Sequence, residues 1–337
     1  MLALAYGSPR TDARAVPEKI LVIRRNGIGD MICALPLIRH LHRAYPSARI
    51  DVLASARNAP ILAGVPLVSG VHVYRRGRGL MRNHYLNLRR LLRPVREARY
   101  DLALAANGGF SRLVAVIAYA TGVPRRVGFV PREGHALDFC FNLAVRQPAA
   151  REHQIERCLR LLEPLGIPRG AIDVSFDLAA EHEAYAERTL GGAKPYVLFN
   201  ASASRAASQW PAASIAATAA GLERRHGLRT LVCGLPRERA PVEAAGLDFV
   251  ETPSVMHFAA LVRRARFLMC GDGGPMHVAA AMGTPAFVLF SSTTDAQAWR
   301  PWGVPFSCLT AQAGVAGITP EDALAKIDEW IAGKWSG

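Results

Sequence analysis

The chain has 337 residues, half of them hydrophobic and 20% charged, with 29 Gly and 22 Pro; this excludes disordered and collagen-like classes and leaves room for two folded domains. Its net charge of +14 is unevenly placed, since residues 1–180 carry 27 Lys/Arg against 13 Asp/Glu while residues 181–337 carry 14 of each. A genomic bias toward Arg (37 Arg, 4 Lys) would not stop at mid-chain, so the first half is expected to meet a polyanion.

The six cysteines, Cys33, Cys140, Cys158, Cys233, Cys270 and Cys308, form no C-x-x-C pair and have no His cluster at ligand spacing. Neither a disulfide framework nor a metal site is expected, which suits a reduced, cytoplasmic protein. Met1–Pro17 contains Arg10 and Arg14 and lacks the apolar core of a secretory signal. The apolar run Leu113–Ala120 falls far short of the roughly 18 residues that span a bilayer, so any membrane contact is expected to be peripheral.

Apolar runs of strand length alternate with segments of helical period, the pattern of parallel α/β construction. Strands are predicted at Ile20–Arg24, Ile50–Ala54, Val71–Tyr74, Leu102–Ala106 and Arg126–Phe129, and helices at Met31–Ala44, Leu80–Ala98 (kinked at Pro94) and Ser111–Thr121. After a helix at Ala179–Leu190, a second series places strands at Tyr196–Asn200, Thr230–Cys233, Phe267–Cys270 and Ala286–Phe290. Its helices are predicted at Ala212–His226, His257–Arg264 and Pro275–Met282, with a closing helix at Thr319–Ile331. Two such series predict two Rossmann-like domains, 1–175 and 176–318, whose parallel sheets face a central cleft. The linker is expected near 166–180, and the C-terminal helix 319–333 is a candidate to pack back on the first domain.

Ligands of doubly wound sheets bind beyond the carboxyl ends of the strands, so the loops there are the places to search. After the first strand comes Arg24-Arg25-Asn26-Gly27-Ile28-Gly29-Asp30. Asp30 falls where a helix N-cap is expected, and a carboxylate there can also act as a general base toward a hydroxyl. The segment is not a dinucleotide fingerprint, because Ile32 stands where the third glycine of G-x-G-x-x-G should be; no nicotinamide cofactor is expected. Cys270-Gly271-Asp272-Gly273-Gly274-Pro275-Met276-His277 repeats the strand, glycine loop and helix arrangement, and its free N–H groups suit a diphosphate. Asn200-Ala201-Ser202-Ala203-Ser204-Arg205 adds hydroxyls and a guanidinium that can bind phosphate oxygens. Arg75–Arg99 holds nine arginines against Glu97 alone; with Tyr85 the only aromatic before Tyr100, it points to a phosphorylated or lipid-anchored acceptor rather than to nucleic acid.

These pieces in this order resemble glycosyltransferase family nine, the ADP-heptose:lipopolysaccharide heptosyltransferases. The likeness is carried by ILVIRRNGIGDMICALPLIRHLHRAYPSARIDVL (Ile20–Leu53), SQWP (Ser208–Pro211), FAALVRRARFLMCGDGGPMHVAAAMGTPAFVLF (Phe258–Phe290) and TTDAQAWRPWG (Thr293–Gly303). The resemblance implies a GT-B fold, a donor nucleotide on the C-terminal domain and the acceptor on the N-terminal one. It also implies inverting, metal-independent transfer of heptose from ADP-heptose to a lipopolysaccharide core, with Asp30 as the base and no cofactor. Donor contacts are expected from Ser202, Ser204, Arg205, Asp272, Gly273, Gly274, Met276 and His277. Acceptor contacts are expected from Arg89, Arg90 and Arg93, at the inner-membrane surface. One departure stands out: Ser208 occupies the position where the family usually carries a Lys that contacts the donor phosphates, and Arg205 is the nearby cation that could replace it. A GT-B transferase using another nucleotide sugar, a sugar-nucleotide epimerase, a catalytically weakened binding relative and a basic nucleic-acid module remain alternatives at this point.

Overall fold

The computed structural model describes residues 16–74, 90–147, 151–192, 195–203, 205, 208–292, 294–312 and 314–333; Arg89, Ser204 and the predicted helix before residue 90 lie outside them. The chain divides between Val174 and Ser175 into two compact units.

Strands buried on both faces must be apolar throughout rather than alternating, and the sequences KILVIR, YVLFN, FLMCG and AFVLFS meet that need. In the first unit the elements are β1 (Lys19–Arg24), α1 (Ile28–Ile32), α2 (Leu35–Ala44), β2 (Arg49–Ser55), β3 (Gly70–Tyr74), a helix at residues 90–97 (α3) and β4 (Leu102–Ala105). They continue with α4 (Arg112–Ala120), β5 (Arg125–Val130), β6 (Leu143–Arg146) and α5 (Gln154–Leu159). The second unit holds α6 (Ala180–Leu190), β7 (Tyr196–Asn200), α7 (Ala212–His226), β8 (Arg229–Cys233), α8 (Pro236–Ala244) and β9 (Phe249–Val250). It closes with α9 (Val255–Arg264), β10 (Phe267–Gly271), α10 (Gly274–Met282), β11 (Ala286–Ser291), α11 (Ala296–Trp299), β12 (Phe306–Ala311) and α12 (Pro320–Ala332).

Each unit has one six-stranded parallel sheet, ordered β3-β2-β1-β4-β5-β6 in the first and β12-β11-β10-β7-β8-β9 in the second. Counted from its first strand, each follows the doubly wound order 3-2-1-4-5-6. The strand order therefore reverses between β1 and β4 in one unit and between β7 and β10 in the other.

Several elements depart from the sequence reading. Helix Met31–Ala44 is two helices: α1 begins three residues earlier, at Ile28, and Pro36 near the start of α2 supplies no N–H to continue the first ladder. The edge strands β6, β9 and β12 and the helices α5 and α8 were not predicted. β6 is short and β12 only half-buried, and α8 carries Pro236 and Pro241, so none gives a long clean period. The closing helix α12 belongs to the second unit, not the first. Its Ala323, Leu324, Ile327 and Trp330 sit in that unit's core, and Trp330 meets Phe267 edge-on at 5.7 Å.

Candidate functional site

In the first unit the carboxyl ends of β1 and β4 are tied together by Arg24, whose side chain is fully buried. Its Nη1 donates to Ala106 O just past β4, its Nε donates to Asp30 O at 2.8 Å, and its Nη2 donates to Asp30 Oδ1 at 2.7 Å. Asp30 is not the N-cap that the sequence suggested. Gly27 holds that position and Asp30 stands at the third helical residue, where its Oδ2 accepts from Gly27 N at 3.0 Å. Each carboxylate oxygen thus has one fixed donor and keeps a lone pair, and the side chain remains 22% exposed. The result is an oriented, solvent-reachable carboxylate at the switch point, the geometry a general base requires.

Two groups that sequence reasoning missed hold this arrangement. One is Arg24 itself, present in the quoted motif but without an assigned part. The other is buried Asn58, whose Nδ2 donates to Arg24 O at 3.0 Å while its Oδ1 accepts from Ser55 N at 2.8 Å, stapling the loop after β1 to the end of β2. Burial pushes the Cys33 and Cys158 thiols beside Arg24 up from their ordinary value, so both are inert packing groups. Of the expected acceptor contacts, Arg90 and Arg93 are exposed on α3, and Arg93 Nε is 2.9 Å from Glu97 Oε1 in an i,i+4 pair.

The second unit repeats the plan at its own switch point. Asp272, directly after β10, has its side chain 1% exposed, and Arg205, from the loop after β7, reaches it with Nη2 2.5 Å from Oδ2. Arg205 Nη2 also donates to Thr294 Oγ1 at 2.8 Å, and Thr294 Oγ1 donates to the same Asp272 oxygen. Half of the Arg205 side chain stays exposed. Asp272 Oδ1 and Ser208 Oγ, on loops that meet at the end of β10, are buried without a hydrogen-bond partner, so each keeps hydrogen-bonding capacity unspent.

The approach of these loops is close. A Cβ on Gly271 would stand 2.4 Å from Ser208 O, so only glycine lets this backbone cross the end of β10. Trp210 fixes that crossing: it stacks on Phe199 at 5.9 Å and donates Nε1 to Ile318 O at 3.0 Å, while Pro211 ends the loop at the start of α7. At the start of α10 the N–H groups of Gly273, Gly274 and Met276 are unused by the helix, and Pro275 has none. The Met276 and His277 side chains are buried, His277 beside Trp299 with ring centroids 5.9 Å apart. What Met276 offers a ligand is its backbone. Ser202 is committed too: its Oγ accepts from Leu235 N at 2.7 Å and donates to Glu238 Oε2 at 3.1 Å. Glu238, which the sequence did not single out, is buried and lines a cavity of about 430 Å³ together with Ala201, Trp210, Ile215, Pro241 and Val242.

A sequence profile of glycosyltransferase family 9 (heptosyltransferase) matches residues 88–317, more than half of the chain. The chain belongs to this family. Among curated relatives it is 27% identical over 293 residues to lipopolysaccharide heptosyltransferase 3 of Escherichia coli strain K12, covering 81% of this chain and 82% of that one. It is 26% identical over 297 residues to lipopolysaccharide heptosyltransferase 2 of the same strain, covering 82% and 83%. Of solved structures, a family 9 glycosyl transferase from Veillonella parvula DSM 2008 superimposes with TM-score 0.81 at 17% identity, over 94% of this chain and 97% of that one. The E. coli ADP-heptose lps heptosyltransferase II gives TM-score 0.76 at 22% identity, over 94% and 100%. At such identities the likeness speaks for the fold, and the family 9 chain has the two doubly wound sheets of a GT-B glycosyltransferase.

Proposed function

We propose that this family 9 protein is an inverting, metal-independent heptosyltransferase that moves heptose from ADP-heptose to a lipopolysaccharide core or related glycolipid at the cytoplasmic face of the inner membrane. The observation that carries the reading is the Asp30 carboxylate, held by buried Arg24 at the β1–β4 switch point of a family 9 chain. Proteins named as lipopolysaccharide heptosyltransferases are its curated relatives, which supports the donor and acceptor classes.

In this reading the first unit supplies the base and the acceptor surface. Asp30 takes the proton of the acceptor hydroxyl, the oxygen bonds to the anomeric carbon, and the bond from that carbon to the diphosphate breaks on the opposite side, inverting its configuration. Arg90 and Arg93, with Arg89 beyond the described residues, meet the acceptor's anionic groups.

The second unit supplies the donor site. The exposed half of Arg205 and the free N–H groups of Gly274 and Met276 receive the negative charge that builds on the departing diphosphate. Arg205 thereby replaces the cation absent at Ser208, whose hydroxyl is buried. Asp272 Oδ1 is poor company for a phosphate and suits a hydroxyl of the transferred sugar. The cavity beside Glu238 takes the nucleoside: its apolar walls suit a base, and the carboxylate accepts from ribose hydroxyls. Ser202 serves by holding Glu238.

The reading is tested by incubating the protein with ADP-heptose and heptose-free core oligosaccharide in EDTA. A product heavier by one heptosyl residue, with the anomeric configuration opposite to the donor's by NMR, is expected. Preference for another nucleotide sugar, retention of configuration or a need for magnesium would overturn it.

A further inference from the structure

Among the described residues, α4 is the helix of the first unit whose outward side is apolar where charge is ordinarily placed. Val114, Ala115, Ile117 and Ala118 pack inward, and Leu113 and Val116 stand 40% and 41% exposed on the other side. Phe139, on the turn Asp138–Cys140, is 53% exposed. It is nonetheless braced: its ring meets Tyr119 of α4 edge-on at 5.2 Å, and the Arg126 guanidinium lies over Tyr119 at 5.4 Å. Arg126 is fixed in turn by donating to Cys140 O at 2.8 Å and Val123 O at 2.6 Å.

Among the described residues the rim of this patch carries more cations than acids, and the acid beside Phe139, Asp138, accepts from His135 N of its own loop at 2.8 Å. Arg112 adjoins Leu113, and α4 contains no acid. Arg96 donates Nε to Ala120 O at 2.8 Å, which joins the end of α4 to the arginine-bearing side of α3. Among the described residues neither Arg96 nor Arg112 makes an ion pair, so their charges face solvent uncompensated.

We propose that this face docks the protein on an anionic lipid bilayer, with Leu113, Val116 and Phe139 entering the boundary between headgroups and acyl chains and Arg96 and Arg112 meeting the lipid phosphates. A peripheral site of this kind combines shallow apolar insertion with basic residues at headgroup level. Pairing with a second copy is the poorer fit. Three exposed apolar side chains fall far short of the roughly 1,200–2,000 Å² of a stable interface, and an isologous contact would set arginine rim against arginine rim. The inference rests on the proposed lipid-anchored acceptor for its purpose, but its test does not depend on catalysis.

The test is flotation of the whole protein with vesicles of phosphatidylcholine alone or with phosphatidylglycerol. Wild type is expected to float with the anionic vesicles only, less as salt rises. Leu113→Ser/Val116→Ser/Phe139→Ser is expected to lose vesicle binding at least about tenfold with only a small drop in melting temperature, because the three side chains are part-exposed and lie outside the buried core. Should the triple variant melt early, Phe139→Trp decides instead, since its added fluorescence must shift to the blue on anionic vesicles and not on neutral ones. Absence of wild-type flotation, equal flotation of the triple variant, or a wild-type dimer that the triple variant dissolves would overturn the proposal. Transfer to water-soluble core oligosaccharide is expected to be unchanged in the triple variant; absence of transfer in wild type would count against the heptosyltransferase reading and leave the vesicle result standing.

Discussion

Arg205 reaches Asp272 across the β7–β10 switch point, Nη2 to Oδ2 2.5 Å, and so repeats in the second unit what Arg24 does with Asp30 in the first. The two pairs differ in what is left free. In the first the guanidinium is buried and the carboxylate reachable; in the second the carboxylate is buried and half of the arginine is reachable. The first pair therefore presents a base and the second a cation. Arg205→Ala is expected to weaken ADP binding by roughly tenfold or more, the size of a lost charge-assisted hydrogen bond, and also to lower the melting temperature by stranding the Asp272 charge. Arg205→Met combined with Asp272→Asn should recover much of the melting temperature without recovering ADP affinity. Titration calorimetry beside a thermal melt separates the two effects; recovery of affinity in the double variant would sink the assignment.

Asp30→Asn is expected to do two things at once. Both Asp30 oxygens accept from fixed donors, Arg24 Nη2 and Gly27 N, and an amide has one oxygen to offer them. Its NH₂ group must face a donor, at a cost of about 1–3 kcal/mol in stability. If Asp30 is the base, single-turnover transfer should fall by about 10² to 10⁴ while ADP binding, proposed for the other unit, stays near wild type. Wild-type turnover at saturating substrate would reduce Asp30 to an anchor for α1.

The double Rossmann plan was legible because fully buried parallel strands leave continuous apolar runs such as Ile20–Ile23 and Phe287–Phe290. The edge strand Leu143–Arg146 left no such trace, since half of its residues face water. Asp30 and Asp272 were legible as polar residues in glycine loops after strands. Arg205 was legible beside them, but Arg24, Asn58 and Glu238 were not, because their contacts to Asp30, Arg24 and Ser202, 6, 34 and 36 positions away, follow no motif spacing. The hydroxyl of Ser202 looked like a phosphate ligand for the same reason: only the fold shows that Glu238 and Leu235 already occupy it.

Two glycines of the second unit make a comparison. A Cβ on Gly271 would meet the backbone oxygen of Ser208 at 2.4 Å, whereas one on Gly221 would meet the end of the Leu324 side chain at 2.3 Å, where α7 packs on α12. Overpacking costs about 1–3 kcal/mol in either place, and Leu324 can rotate away more cheaply than a backbone can shift. Gly221→Ala is expected to lower the melting temperature with ADP affinity unchanged. Gly271→Ala should lower both, because displacing Ser208 displaces the loop that carries Arg205. Intact ADP affinity in Gly271→Ala would show that the crossing does not position the donor site.

Acid stability of the first unit gives the last expectation. Arg160 clasps Glu152 just before α5, Nε 2.7 Å from Oε2 with Nη2 on the other oxygen. The hydrogen bonds from Arg160 hold the Glu152 carboxyl below its ordinary value of 4.5, against the opposing effect of partial burial, with help from the charges of Arg160, Arg169 and Arg157. A carboxyl depressed in the folded state binds its proton more readily in the unfolded chain. Its contribution is therefore complete above pH 4.5 and is lost as pH falls through the folded value. Glu152→Gln should lower the melting temperature at pH 7 by a few degrees, since about 1 kcal/mol corresponds to roughly 2–4 °C in a unit of this size. The gap between variant and wild type should close as the melts are repeated at successively lower pH below 4.5. A gap that persists unchanged down that series would mean that Glu152 stabilises the unit by packing rather than by its charge.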